Sequence, residues 1–149
     1  MEATSPVFED GSRIPERYGY TQENVNPPVE ISGVPEAARS LVLVMDDPDA
    51  VEPAGKVWVH WTLWNIDPET RRIEEDSAPG TEGTTDFRKT GYNGPNPPDG
   101  EHTYRIEVYA LDSVLDLEEG ASREELDKYM DGHVLEKAEL AGTFPLLEN

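Results

Sequence analysis

Apolar positions along this chain fall into short runs of strand length, punctuated by proline and glycine, and only one late stretch takes helical spacing. Ser40–Met45 is continuously apolar after its first residue, the pattern of a strand buried on both faces. It runs directly into Asp46-Asp-Pro-Asp-Ala50. Carboxylates at the end of a buried strand are costly unless they face a polar site or solvent. Val57–Ile66 alternates, which puts Trp58, His60, Thr62, Trp64 and Ile66 on one face and Val57, Val59, Trp61, Leu63 and Asn65 on the other. His60 is thereby expected between two tryptophans. Gly91–Leu111 opens as a loop stiffened by Pro95, Pro97 and Pro98, with glycines that permit positive φ or close approach to the backbone. It then alternates, with His102, Tyr104, Ile106, Val108 and Ala110 on one face and Thr103, Arg105, Glu107, Tyr109 and Leu111 on the other.

The remaining segments are weaker. Pro6–Phe8 reads as a short edge strand, Arg71–Ile73 as a brief pairing segment, Glu74–Lys89 as a polar loop and Ala138–Phe144 as a last strand. Ser122-Arg-Glu-Glu125 has the form of a capping box. Leu126, Tyr129, Met130, His133 and Val134 follow at helical spacing, so His133 is expected on a packed apolar stripe. Strands joined by irregular proline-rich loops, with one late helix, predict a mostly β chain. The expected architecture is an antiparallel β-sandwich with a peripheral helix near the C-terminus, in a single domain spanning residues 1–149.

Composition narrows the chemistry. The chain has no cysteine, hence no thiol nucleophile and no zinc-thiolate site. It has neither the basic and apolar pattern of a secretory signal nor a stretch long enough to span a bilayer, and is read as a soluble cytoplasmic protein. Its 32 acidic and 12 basic residues give a formal charge of −20, which repels nucleic acid and anionic membranes. The acids are interleaved with apolar strands, so this is a folded acidic surface, of the kind adapted to a high-salt cytoplasm. Two strands each carrying a histidine, and a third ending in aspartates, are placed to converge on one cavity. Imidazole N–H groups suit a small anion, Asp47 or Asp49 can accept from an imidazole nitrogen and fix its tautomer, and backbone N–H groups near Gly94 can form a nest. Tryptophan supplies the walls.

Four blocks carry a resemblance: Asp46-Asp-Pro-Asp-Ala50, Trp58-Val-His60, Gly91-Tyr-x-Gly-Pro-x-Pro-Pro98 and Gly100-x-His102-x-Tyr104. In this order they resemble the phosphatidylethanolamine-binding protein family, also called the Raf kinase inhibitor proteins, and most of all its small bacterial and archaeal branch. The similarity runs from about Phe8 to Phe144 and includes Met130–Phe144. It implies a Greek-key β-sandwich and a small pocket for phosphate-like anions such as phospholipid head groups, with no cofactor, no required metal and no catalytic residue. The implied ligand-binding residues are Asp47, Asp49, Trp58, His60, Gly94, His102 and Tyr104, and the Asp47–Pro48 bond is expected to be cis. The implied partner is a small anionic or phosphorylated ligand, and a homodimer is suggested by the branch. Two positions depart from the family pattern. Val51 stands where proline is usual, and Thr103 stands where an arginine is expected to anchor the loop.

Rival classes are a His/Asp metal enzyme, a nucleophilic hydrolase, and an inhibitor presenting a loop to a protease or kinase. No His-x-His or His-x-x-x-His spacing and no Gly-x-Ser-x-Gly elbow is present. At about 1 M salt the Debye length is roughly 3 Å, so self-repulsion of the acidic surface is screened. Thermal melts in dilute buffer and in molar KCl should give the higher Tm at high salt; equal values would remove the high-salt reading.

Overall fold

A strand apolar on both faces needs cover on both sides, and the segment beginning at Ser40 receives it. The computed structural model describes residues 1–147. Its strands are β1 (Glu2–Thr4), β2 (Val29–Ser32), β3 (Ser40–Asp47), β4 (Trp58–Ile66), β5 (Arg72–Ile73), β6 (Thr81–Glu82), β7 (His102–Leu111) and β8 (Val134–Phe144). Its α-helices are α1 (Val51–Ala54) and α2 (Arg123–Met130). All strand pairings are antiparallel. They form a small sheet of order β1-β2-β5 and a large sheet of order β6-β4-β3-β7-β8. The mostly-β expectation stands, in the form of two antiparallel sheets with few helices.

Between the sheets, Leu41, Leu43 and Met45 of β3 pack with Ala3, Val29, Ile31 and Ile73 of the small sheet. On the opposite side, Val42 and Val44 pack with Trp64, Leu126 and Met130, so α2 covers the outer face of the large sheet. That helix is held at its start by the anticipated capping box: the Glu125 amide donates to Ser122 Oγ, and the Ser122 amide donates to Glu125 Oε1.

Several expectations are corrected. The N-terminal strand is Glu2–Thr4, not Pro6–Phe8, because three consecutive residues there pair with β2, whereas Pro6 has no amide to give. The helix stops at Met130 and the chain turns through Gly132 at φ 82°, so His133 and Val134 never join its stripe. His133 is exposed and its Nδ1 lies 2.8 Å from Asp112 Oδ1. A last strand follows the helix as expected, but it starts at Val134, four residues before Ala138. The polar loop 74–89 contributes the two-residue β6.

Strict alternation along β4 also fails. Met45 pairs with Trp61 and Asp46 with Val59, which leaves His60 as an extra, unpaired residue in a β-bulge. The bulge lets Trp58 and His60 face the same side as Trp61 and Leu63, so the two faces expected for this strand merge there. A second register shift, at Asn65 (φ 55°), returns Ile66 to the inner core while Trp64 stays on the outer side. Asn65 then bonds both the amide and the carbonyl of Leu115.

Leu43 is fully buried in the central strand. Replacing Leu43 by Ala should lower the unfolding free energy by about 2–5 kcal/mol in a denaturant titration, through lost transfer energy and the residual cavity.

Candidate functional site

The end of β3 sends successive carboxylates to opposite sides of the sheet, as strand pleating requires. Asp46 goes to the outer side, where Arg105 Nε and an Arg105 terminal nitrogen donate to its two oxygens at 2.8 and 3.0 Å. Asp47 goes to the inner side. It is nearly inaccessible, and His102 Nδ1 lies 2.6 Å from its Oδ2. The other oxygen, Oδ1, accepts from the Asp49 amide at 2.9 Å and caps the turn Pro48–Ala50. The Asp47–Pro48 peptide is trans, contrary to the cis bond expected.

Asp47, Trp58, His60, His102 and Tyr104 line one cavity of about 200 Å³, with Phe87 and Pro98 at its sides. Tyr104 stands between the imidazoles, its ring centroid 5.1 Å from that of His60 and 6.4 Å from that of His102. The two histidines therefore meet, as the alternation of their strands suggests. Two of the expected site residues lie outside the lining. Asp49 touches neither imidazole; its Oδ2 accepts from the Thr103 amide at 2.8 Å. This main-chain tie anchors the start of β7 whatever the side chain at 103, so the loss of arginine there does not leave the strand end free. The Gly94 amide donates to Asn24 Oδ1 at 2.7 Å and is not available to a ligand. A Cβ at Gly94 would lie 2.1 Å from the Tyr18 carbonyl oxygen, so glycine is needed for the loop to pack there.

Their surroundings push the two imidazoles in opposite directions. His60 is buried, and its Nδ1 is 2.6 Å from the Asn93 carbonyl. Burial pulls its pKa below the ordinary histidine value, with the Asn93 carbonyl only partly opposing. A carbonyl can only accept, so Nδ1 carries the proton, and in the neutral ring Nε2 is an acceptor. The expectation that both histidines donate is corrected at this ring. Burial also opposes charge on His102, but the Asp47 and Asp99 carboxylates outweigh it and raise its pKa. The Asp99 Oδ1 lies 2.6 Å from His102 Nε2, so both ring nitrogens face carboxylates and both carry protons when the ring is charged. The Tyr104 hydroxyl is buried and has no hydrogen-bond partner. Burial, with Asp47 adding to it, holds this hydroxyl in its neutral form.

Asn93, Asp99 and Phe87 are site residues that pattern reading missed. Asn93 and Asp99 lie on the glycine- and proline-rich loop already singled out, but nothing in a loop's periodicity says which residues turn inward. Phe87 comes from segment 74–89. The Asp86 carboxylate binds the Val59 amide at 2.7 Å, which brings the Phe87 ring 5.9 Å from Trp58 and 5.1 Å from His60. Among the described residues, no group of three or more His, Asp or Glu side chains is arranged to hold a metal ion, and no helix is long and apolar enough to cross a membrane.

Comparison with known proteins places this geometry. A UPF0098 protein of Methanothermobacter thermautotrophicus is 44% identical over 97% of this chain and 98% of its own length. A UPF0098 protein of Chlamydia trachomatis is 39% identical over 97% and 98%. The crystal structure of a Chlamydia trachomatis homologue described as a putative phosphatidylethanolamine-binding protein superposes with a TM-score of 0.90 at 38% identity, covering 99% of this chain and 97% of that one. Escherichia coli YbcL, described as a member of the mammalian PEBP family, gives 0.88 at 25% identity, with 96% of each chain covered. The profile of the phosphatidylethanolamine-binding protein family matches residues 4–145, and with relatives this similar over nearly their whole length, the chain belongs to that family, in company with its bacterial and archaeal members.

Proposed function

We propose that this protein binds a small phosphate-like anion, free or as the head of a phosphorylated ligand, in the cavity between His60 and His102. The observation that carries the reading is the Tyr104 hydroxyl, buried and without a partner between the two imidazoles. A buried hydroxyl left unbonded costs about 1–3 kcal/mol, and an oxygen-rich ligand in the cavity relieves that cost. His102 supports the anion from one side with a protonated ring. His60 supports it from the other as an acceptor, which suits a ligand that carries an O–H as well as charged oxygens. Monohydrogen phosphate has both. Trp58 and Phe87 give the ligand an apolar wall, and Asp47 orients His102 without itself reaching the anion. No nucleophile–base pair faces the cavity among the described residues, so the reading is of a binding protein and not of a catalyst.

Calorimetric titration with inorganic phosphate and with phosphoethanolamine should show binding by the unmodified protein, and the two arms separate a free anion from a head group. His102→Asn keeps an amide N–H for Asp47 but loses Nε2, and should abolish binding with an unchanged melting temperature. Tyr104→Phe should weaken binding about tenfold, the worth of one hydrogen bond to a charged group. The Asp47 and Asp99 carboxylates raise the His102 pKa, so affinity should fall as pH rises through that raised value. Unchanged affinity in His102→Asn would overturn the reading.

A further inference from the structure

The two carboxylates on His102 are not equivalent. The Asp47 side chain is 4% exposed, fixed at the end of a strand and tied a second time to the Asp49 amide. The Asp99 side chain is 53% exposed, sits on the loop ahead of β7, and among the described residues bonds only to His102 Nε2. Nδ1 is permanently engaged by Asp47, so Nε2 is the only nitrogen with which this ring can serve a ligand. In the ligand-free protein Asp99 already holds it.

We propose that Asp99 is a specificity-determining residue of the anion pocket: its carboxylate occupies the ligand's place on His102 Nε2, and only an anion that offers more than a carboxylate displaces it. This rests on the anion-binding reading above. Asp99 lies three residues before His102 on a loop braced by Pro95, Pro97 and Pro98, so its effective concentration at the ring is high. A free monocarboxylate exchanges one carboxylate–imidazolium bond for the same bond and has that local concentration to overcome. A phosphate group makes the His102 bond and has further oxygens, with an O–H, for Tyr104 and His60. Displacement costs Asp99 little in hydration, because half of its side chain is already in water. The residue thereby lowers the affinity for every anion by the same factor, and only an anion with further hydrogen bonds to make still binds measurably.

The test is calorimetric titration of the unmodified protein and of Asp99→Asn with inorganic phosphate and with acetate, with ring-nitrogen NMR of His102 in the ligand-free proteins. Asp99→Asn should bind phosphate about tenfold to a hundredfold more tightly, the penalty of a competing charged hydrogen bond being removed. It should also gain measurable acetate binding that the unmodified protein lacks, and its His102 Nε2 resonance should shift while Nδ1, still on Asp47, holds. A purely structural role for Asp99 gives weaker binding or none and overturns the inference. Equal phosphate affinities with acetate still excluded overturn it too and leave the anion reading standing. Binding of phosphate by neither protein overturns the anion reading, and the inference with it.

Discussion

The bond between His102 Nδ1 and Asp47 Oδ2 is the contact on which the site depends. It joins the end of β3 to the start of β7 where both are buried, at 2.6 Å. Neither group tolerates that position alone: a buried carboxylate without a partner is driven to neutralise, and a buried imidazolium likewise. Together they favour the charged form of the ring inside an apolar wall. The antiparallel ladder between β3 and β7 runs from Ser40–Leu111 to Asp46–Arg105, so the pair closes the end of a sheet that is already in register. The cavity is what remains beyond the last ladder rung.

The same strand end solves a second problem on its other face. Asp46 is as inaccessible as Asp47, and its charge is met by Arg105, with Arg123 of α2 3.5 Å away. One strand thus delivers two adjacent carboxylates through the sheet, one clamped by guanidinium groups on the helix side and one by an imidazole on the cavity side. The first ties the helix layer to the sheet, and the second fixes the ring that lines the cavity. The apolar run before them, buried on both sides, leaves no room to slide; a shift of one residue would exchange the two carboxylates and bury each against the wrong partner.

In a protein of net charge −20, the proposed anion site needs its own acids kept from competing. The cavity presents a histidine held neutral by burial, an uncharged phenol and a ring whose protonated form two carboxylates favour, and one of those acids, Asp99, sits directly on that ring. On that proposal, selectivity would come from the number and kind of hydrogen bonds a ligand offers and not from its charge alone.

The amino-acid sequence by itself determined the doubly buried strand, the alternating strand carrying His102 and Tyr104, the capping box at Ser122 and the family to which these blocks belong. All are local: apolar runs, period-two alternation and a short capping motif are written in consecutive residues. Tertiary structure alone decided the bulge at His60, which merges two faces that simple alternation keeps apart, because a bulge is set by the register of the neighbouring strand and not by the bulged residue. It also decided that His133 leaves the helix, that the Gly94 amide is consumed by Asn24, and that Asn93 and Asp99 reach the two imidazoles. Each of these depends on which carbonyl, amide or carboxylate a distant segment brings within about 3 Å, the reach of a hydrogen bond, and no one-dimensional pattern records that proximity.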